Sequence, residues 1–475
     1  MWQQMLANSW FYRIFINSRF YRWVTEPVDS WPAWPQSRLY LVYRQLLTFL
    51  EVLAQKLENF LQSSGTYQYL VRLNLTGLLL LLVALYPIID YILRTIGLLA
   101  GLWDELLFVL IVGLGFVYLL ATQGWRQLKA TPVAKYIILF WWGMLLLFFL
   151  RSPDTRIGLD GLRAVVEYSL WFFVAVNFLR DRIQIRTWLF VALLGAFLVA
   201  AYGLYQKAAG VSIPAKWVDQ AERSISFRAF SIIGSPNVLG SYLMLFIPIN
   251  LAFALSARRW SEYILYWGIL AAQLLCLVYT YSRGAWLAFL LAMLVFGFCY
   301  NRRLLVAILA LSLLVPVLAP SVGARISYML SPQYIESSQK GGRLIRWTTA
   351  LEKVEKRPAI GLGLGRFGGA VAAQNDIPGT FYVDNYYIKT LAETGLIGLA
   401  LLLFVYFNAW RYAIGSYRRI RAPGDRLLAA GLVAGLTGVL AHNGVENIFE
   451  VPMMNTYFWF LLGMLWQLRE NPGSQ

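Results

Sequence analysis

The sequence predicts an all-α integral membrane protein. Of its 475 residues, 59% are hydrophobic and 16% are aromatic, and only 14% are charged. With a mean hydropathy of +0.57, this balance excludes an ordinary soluble globular protein. Apolar runs of about 20 residues, the length that crosses a bilayer as a helix, recur along the chain. We therefore expect about twelve transmembrane helices, near residues 73–93, 104–122, 134–150, 163–179, 187–206, 238–256, 262–281, 285–300, 304–320, 386–408, 427–443 and 453–468.

Basic residues alternate between the connections as the positive-inside rule requires. The short connections that would face the cytoplasm all carry arginine or lysine, for example Arg186, Arg258 and Arg418. This pattern predicts a multi-pass protein of the cytoplasmic (inner) membrane with both termini cytoplasmic. It also explains the net charge of +17, so the charge does not indicate a nucleic acid as partner. Cys276 and Cys299 lie in apolar runs, which indicates packing rather than a disulfide or a metal site.

The same pattern divides the chain into four regions. Residues 1–70 are expected to form a cytoplasmic, basic segment with an amphipathic helix, either on the membrane surface or docked on the bundle. Residues 71–320 would carry nine transmembrane helices, and residues 321–384 a large extracytoplasmic loop with short helices. Residues 385–475 would form the last three spans and a cytoplasmic tail. The apolar face of the first helix is predicted from its spacing, at Leu39, Val42, Leu46, Leu50, Leu53, Leu57 and Phe60.

Three arginines lie at the predicted outer ends of spans. Arg283 stands in "YTYSRGAWLAF", Arg228 precedes "AFSIIGSPNVLGSYL", and Arg343 begins a helical pattern in the large loop. An arginine at a membrane face either snorkels to the interface or needs a counter-charge. A guanidinium group offers a planar fork of donors that matches phosphate oxygens. The three arginines together therefore predict one anionic ligand. Arg346 and Asn237 are secondary candidates for residues of this site.

The glycines of "GLGLGRFGG" raise the question of a phosphate-binding loop. No strand pattern precedes this segment and no Gly-Lys-Ser/Thr follows it, so the nucleotide interpretation is rejected. A tight turn with close backbone approach is expected instead.

Polar residues also stand at the ends of two later spans. Asp384 and Asn385 precede an apolar helix, where Asp384 could serve as a helix cap. His442, the single histidine, is expected to pair with Glu446 four residues later, although a secondary role at the site stays open. One histidine cannot form a metal site, so we expect no metal.

Five spaced motifs together resemble the O-antigen ligase and polymerase superfamily. They are "RAFSIIGSPNVLGSYL", "YTYSRGAWLAF", Arg343 four residues before Trp347, "KRPAIGLGLGRF" and "DNYYIKTLAETGLIGL". The resemblance implies a membrane glycosyltransferase that takes a glycan from an undecaprenyl diphosphate carrier at the outer face. The acceptor would be a glycan, lipid or cell-wall hydroxyl, and neither a cofactor nor a metal would be needed. The family's essential arginines would correspond to Arg283 and Arg343, and Arg228 to a further basic position.

One position departs from the family pattern. Ligases of the family carry a histidine where this chain has Asp384. This departure argues against a lipid A ligase and leaves polymerase, S-layer or secondary-polymer transfer equally open. A carboxylate could still accept the proton of the acceptor hydroxyl, with Asn385 orienting the acceptor or the base. The competing interpretation is a transporter of a small anion such as bicarbonate, because about twelve helices is also a common transporter size.

Overall fold

The computed structural model describes residues 75–98, 101–121, 131–179, 181–213, 227–318, 320–329 and 331–470, together with scattered positions between 41 and 59. The chain divides into a unit of residues 1–75 and 113–132 and a larger unit of residues 76–112 and 133–475. In the first unit, every described position from 41 to 59 is helical. The apolar face predicted for this helix, from Leu39 to Phe60, lies outside the described residues.

The part of the chain that the structure describes is helical, without a strand. The predicted short helices of the segment after residue 320 are present, and Arg343 is the first residue of one of them. The α-helices are α1 (Leu75–Ala84), α2 (Tyr86–Thr95), α3 (Trp103–Ala121), α4 (Ala134–Leu150), α5 (Thr155–Val166), α6 (Leu170–Phe178), α7 (Arg182–Ala208), α8 (Pro236–Ser256), α9 (Trp260–Tyr279), α10 (Arg283–Tyr300), α11 (Arg302–Leu318), α12 (Pro320–Met329), α13 (Pro332–Lys340), α14 (Arg343–Glu355), α15 (Ala370–Gln374), α16 (Tyr386–Arg419), α17 (Pro423–His442) and α18 (Pro452–Glu470).

Fewer helices qualify as membrane spans than the sequence predicts. Among the described residues, six helices are long and apolar enough to cross a bilayer, namely α7, α8, α9, α10, α16 and α17. A seventh is added if α1 and α2, which meet at an angle of 81°, count as one span. The predicted span 163–179 is not continuous: α5 ends at Val166, and a 3₁₀ turn of Glu167–Ser169 separates it from α6. Glu167 there binds Nε of Arg163 at 2.7 Å, so this window contains an ion pair instead of an uninterrupted apolar run.

The centre of the larger unit is formed by α8, α17 and α18. All of α18 from Met453 to Leu468 is buried. Because lipid tails are as apolar as the side chains, close packing rather than the hydrophobic effect holds such helices together. Gly435 of α17 permits this packing, since a Cβ there would lie 2.5 Å from the carbonyl oxygen of Leu245 in α8.

The glycine-rich segment is built into a break in α16. At Gly395 the backbone has φ 66° and ψ −168°, a conformation that only glycine adopts readily. The amides of Leu396 and Ile397 bind the carbonyl oxygens of Pro358 and Ala359 at 2.8 and 3.2 Å. Pro358 and Ala359, just before "GLGLGRFGG", thus supply the hydrogen-bond acceptors that the broken helix lacks. The glycines of "GLGLGRFGG" permit close packing of the backbone, as the sequence predicts.

Several helix ends meet at one side of this bundle. α8, α10 and α16 begin there, and α9 and α17 end there. The segments that cross this end, including α12, α13 and α14, therefore lie over the helix termini that carry the predicted site residues.

Candidate functional site

A cavity of about 170 Å³ lies at this end of the bundle. Its wall contains the starts of α8 and α10, parts of α12, α13 and α14, and the residue two positions before α16. Six of the residues singled out in the sequence line it, namely Arg228, Asn237, Arg283, Arg343, Arg346 and Asp384. Arg325 joins them, so five arginines and one carboxylate face the same small space.

Arg283 is positioned by the start of α10. The side chain of Ser282 accepts a hydrogen bond from the amide of Ala285 and caps the helix. The guanidinium carbon of Arg283 lies 4.5 Å from the ring centroid of Tyr334 and 5.5 Å from that of Tyr328. These contacts stabilise the cation over two aromatic faces.

Arg228 is held in an extended segment before α8. Its Nε donates to the carbonyl oxygen of Thr280 at 3.0 Å, and its Nη2 donates to Oδ1 of Asn237 at 3.0 Å. Burial, followed by repulsion from Arg325 and Arg343, lowers the pKa of Arg228 to about 9. A cluster that depresses the pKa of an arginine favours the arrival of an anion.

Arg343 lies near the carboxylate of Glu446, for which the sequence predicted a different partner. Its Nη2 lies 3.5 Å from Oε2 of Glu446, and the same oxygen accepts a hydrogen bond from Nδ2 of Asn237. The predicted partner of Glu446 was His442, and this prediction is wrong because α17 ends at His442 and i,i+4 neighbours face each other only within a continuous helix.

His442 packs inside the bundle and does not line the cavity. Its Nδ1 lies 2.5 Å from Oγ of Ser241 in α8, and its side chain is fully buried. In the described structure the residue therefore connects α17 to α8.

Asp384 stands at the rim of the cavity in a rare backbone conformation. Its φ is 54°, in the left-handed region that aspartate tolerates better than most residues. Oδ2 of Asp384 lies 2.5 Å from Nη1 of Arg346, whose side chain is 37% exposed. Nε1 of Trp347 holds the preceding peptide by donating to the carbonyl oxygen of Val383 at 3.0 Å. Residues of α14 thus fix both the backbone and the carboxylate of this segment.

Asn385, rather than Asp384, caps α16. Its Oδ1 accepts hydrogen bonds from the amides of Tyr387 and Ile388, both at 3.0 Å. Its Nδ2 donates to the carbonyl oxygen of Gly444 at 2.6 Å. The alternative that Asp384 caps the helix is therefore wrong, and the Asp384 carboxylate is left to the cavity. Asn385 itself does not line the cavity.

A buried charge cluster lies behind Asp384. Nζ of Lys389 is 2.8 Å from Oε2 of Glu393 and 3.2 Å from Oε1 of Glu450. The two glutamates also accept hydrogen bonds from the amides of Phe367 and Ala370, at 3.2 and 3.1 Å. The cluster therefore ties the glycine-rich segment to the start of α16.

Two residues of the site, Arg325 and Glu446, are not among the site residues that the sequence predicts. Arg325 is 6% exposed and donates from Nε to the carbonyl oxygen of Tyr281 at 3.1 Å. The excess of cations in the segment after residue 320 was the signal that could have found it. Across the described residues, no group of three or more His, Cys, Asp or Glu side chains is arranged to hold a metal ion.

The fold and the cavity define a multi-pass helical membrane protein that gathers its arginines at one end of the bundle. Residues 268–403 match the family described as O-Antigen ligase. A Pseudomonas aeruginosa protein named O-antigen ligase is 24% identical over 366 residues, which cover 76% of this chain and 82% of that protein. Both matches agree with the resemblance of the five sequence motifs to the O-antigen ligase and polymerase superfamily. These matches do not support the alternative of an anion transporter.

Proposed function

We propose that the protein transfers a glycan from a lipid diphosphate carrier, of the undecaprenyl type, to an acceptor hydroxyl. The observation that carries this proposal is the convergence of five arginines and one aspartate on a single cavity. Cations suited to a diphosphate and a carboxylate suited to a hydroxyl lie within one space. The similarity of residues 268–403 to the O-antigen ligase family, and of the chain to a protein named O-antigen ligase, supports the same reaction class.

Arg283 and Arg343 bind the diphosphate of the donor, with Arg228 as a third contact. When the bond between the anomeric carbon and the diphosphate breaks, its electron pair stays on the phosphate oxygen. Arginines that are already fixed in a partly buried cavity stabilise this charge without reorganisation. The aromatic rings next to Arg283 and the carbonyl oxygen bound by Arg228 hold the two guanidinium groups in place before the substrate binds.

Asp384 is the general base of the acceptor side. It removes the proton of the acceptor hydroxyl as that oxygen attacks the anomeric carbon from the face opposite the diphosphate, and the anomeric configuration is inverted. Arg346 orients the carboxylate through the contact at 2.5 Å. Asn385 contributes by holding the start of α16, which keeps the neighbouring Asp384 at the cavity rim.

The cavity faces the extracytoplasmic side. The helices that begin or end at the cavity have arginines at their opposite ends, at Arg258, Arg259, Arg418 and Arg419. The positive-inside rule assigns those ends to the cytoplasm. We also place both termini in the cytoplasm, as the alternation of basic connections predicts. A long lipid carrier enters the cavity sideways from the bilayer.

Reconstitution in lipid nanodiscs with an undecaprenyl diphosphate oligosaccharide tests the reaction. We expect free undecaprenyl diphosphate to appear together with a glycan on a new hydroxyl. A longer carrier-linked glycan would identify a polymerase, and a glycan on a different acceptor would identify a ligase. Equal carrier release by the wild type and by a variant with both Arg283→Ala and Arg343→Ala would contradict the proposal.

A further inference from the structure

Glu446 joins two of the arginine-bearing elements through one carboxylate oxygen. It lies between the end of α17 and the 3₁₀ turn Ile448–Glu450, and its side chain is 14% exposed. Its Oε2 accepts a hydrogen bond from Nδ2 of Asn237 and lies 3.5 Å from Nη2 of Arg343.

Through Asn237 the same carboxylate also orders Arg228. Oδ1 of Asn237 accepts hydrogen bonds from Nη2 of Arg228 at 3.0 Å and from Oγ of Ser282 at 2.9 Å. Because Glu446 accepts a hydrogen bond from the side-chain amide of Asn237, it fixes the orientation of this amide. A single anion behind the cavity therefore orients arginines from α14 and from the segment before α8.

The contact between Glu446 and Arg343 is the weakest of the contacts that join Arg343, Glu446, Asn237 and Arg228. At 3.5 Å it is longer than a well-formed charged hydrogen bond. Nε of Arg343 is buried and makes no hydrogen bond with any residue that the structure describes. Arg343 thus keeps donor capacity for a second anion in the cavity.

We propose that Glu446 is a positioning residue. In the absence of the donor, its carboxylate occupies the position beside Arg343 that the donor's diphosphate takes on binding. When the donor binds, Arg343 exchanges Glu446 for the diphosphate. The inference rests on the proposed function, because it assigns the incoming anion to a lipid diphosphate. A diphosphate diester offers several oxygens in place of one distant carboxylate oxygen, so Arg343 turns towards the donor. Asn237 keeps Glu446 in position and keeps Arg228 aligned during the exchange.

Donor binding is then coupled to the uptake of a proton by Glu446. Burial and the nearby Asp384 raise the pKa of Glu446 to about 7, while Arg343 acts in the opposite direction. The charged and titratable groups near it are Arg343 on α14, Asp384 before α16, Arg228 before α8 and His442 on α17. A diphosphate beside Arg343 adds negative charge and raises this pKa further, so Glu446 takes up a proton from solvent as the donor binds. Binding is consequently strongest below pH 7 and weakens as the pH rises above it.

The test uses farnesyl diphosphoryl glucose and the purified full-length protein. This probe is a phosphate diester and lacks the phosphate ionisation near pH 6 that a monoester has. For the wild type we expect the dissociation constant to rise about tenfold between pH 6 and pH 8, the effect of one coupled proton. Glu446→Gln keeps the acceptor for Asn237 but removes the charge, so its affinity should be the same at both pH values and should exceed that of the wild type at pH 8.

Glu336→Gln is the matched control, because Glu336 is exposed on α13 and pairs with Lys340 at 2.5 Å. It should keep the pH dependence of the wild type. The wild type alone provides a second measurement: about one proton should be taken up per probe bound at pH 8. No proton uptake, or an unchanged pH dependence in Glu446→Gln, would overturn the role of Glu446 while leaving the proposed function intact. If the wild type does not bind the probe at any pH, the proposed function fails as well.

Discussion

Oδ2 of Asp384 lies 2.5 Å from Nη1 of Arg346 at the rim of the cavity. The pair connects α14 to the segment that precedes α16 through Oδ2, and we propose the other oxygen, Oδ1, as the proton acceptor. The helix cap behind it is supplied by Asn385. A substitution at Asp384 therefore changes the chemistry of the site without removing a cap.

We expect Asp384→Asn to lower the rate of glycan transfer by about 10²- to 10⁴-fold, the usual effect of losing a general base. Asp384→His should keep part of the activity with a pH optimum closer to neutrality, because the ordinary pKa of histidine is near 6.5. Carrier release in nanodiscs measures both, and donor binding should be retained.

The matched control for this prediction is Asp376→Asn. Asp376 also has a positive φ, of 47°, and is exposed in the same segment of the chain. It separates the loss of the carboxylate at the site from any effect of asparagine on the left-handed backbone. If Asp384→Asn transferred glycan as fast as Asp376→Asn, Asp384 would not be the base.

The sequence was sufficient to find the individual arginines but not their distances. Arg228, Arg283 and Arg343 were each recognised from position, since a guanidinium at a helix end needs a counter-charge. That they share a cavity with Arg325 depends on how the ends of α8, α10 and α14 meet, and no local pattern encodes this. The partner of Glu446 was missed for a related reason: spacing along a helix carries no information once the helix has ended.

Helix positions were also predicted more reliably than membrane spans. Apolar runs mark where helices form, and every predicted run coincides with helix in the described structure. Breaks within a run depend on tertiary partners. The break of α16 at Gly395, for example, forms where the carbonyl groups of Pro358 and Ala359, far away in sequence, replace the helical acceptors.

Replacing Arg283 or Arg343 with lysine should lower transfer about 10- to 100-fold. Lysine keeps the charge but loses the bidentate fork, and a hydrogen bond to a charged group contributes about 1.5 to 3 kcal/mol. Arg357→Lys is the control, because Arg357 is exposed just beyond α14. Initial rates at equal protein level provide the measurement. Rates like that of Arg357→Lys for both variants would exclude a bidentate role in diphosphate binding.

Gly395→Ala should destabilise the protein by more than about 2 kcal/mol. A backbone with φ 66° and ψ −168° costs a residue other than glycine about 1 to 3 kcal/mol, and the new Cβ would lie 2.3 Å from the carbonyl carbon of Ala359. Gly415→Ala, in the same helix, is the control, since no atom lies within 4 Å of its added Cβ. It should change stability by less than about 1 kcal/mol, towards a more stable helix. Thermal unfolding in detergent compares the two, and equal melting temperatures would refute the role assigned to Gly395.

The final prediction concerns which face of the membrane the cavity occupies. In a background with Cys276→Ala and Cys299→Ala, we expect Gln374→Cys, near the cavity end, to react with a membrane-impermeant maleimide on intact cells. Arg421→Cys, exposed between α16 and α17, should react only after the cells are permeabilised. Labelling of Arg421→Cys but not of Gln374→Cys on intact cells would place the arginines in the cytoplasm, where an extracytoplasmic carrier glycan could not reach them.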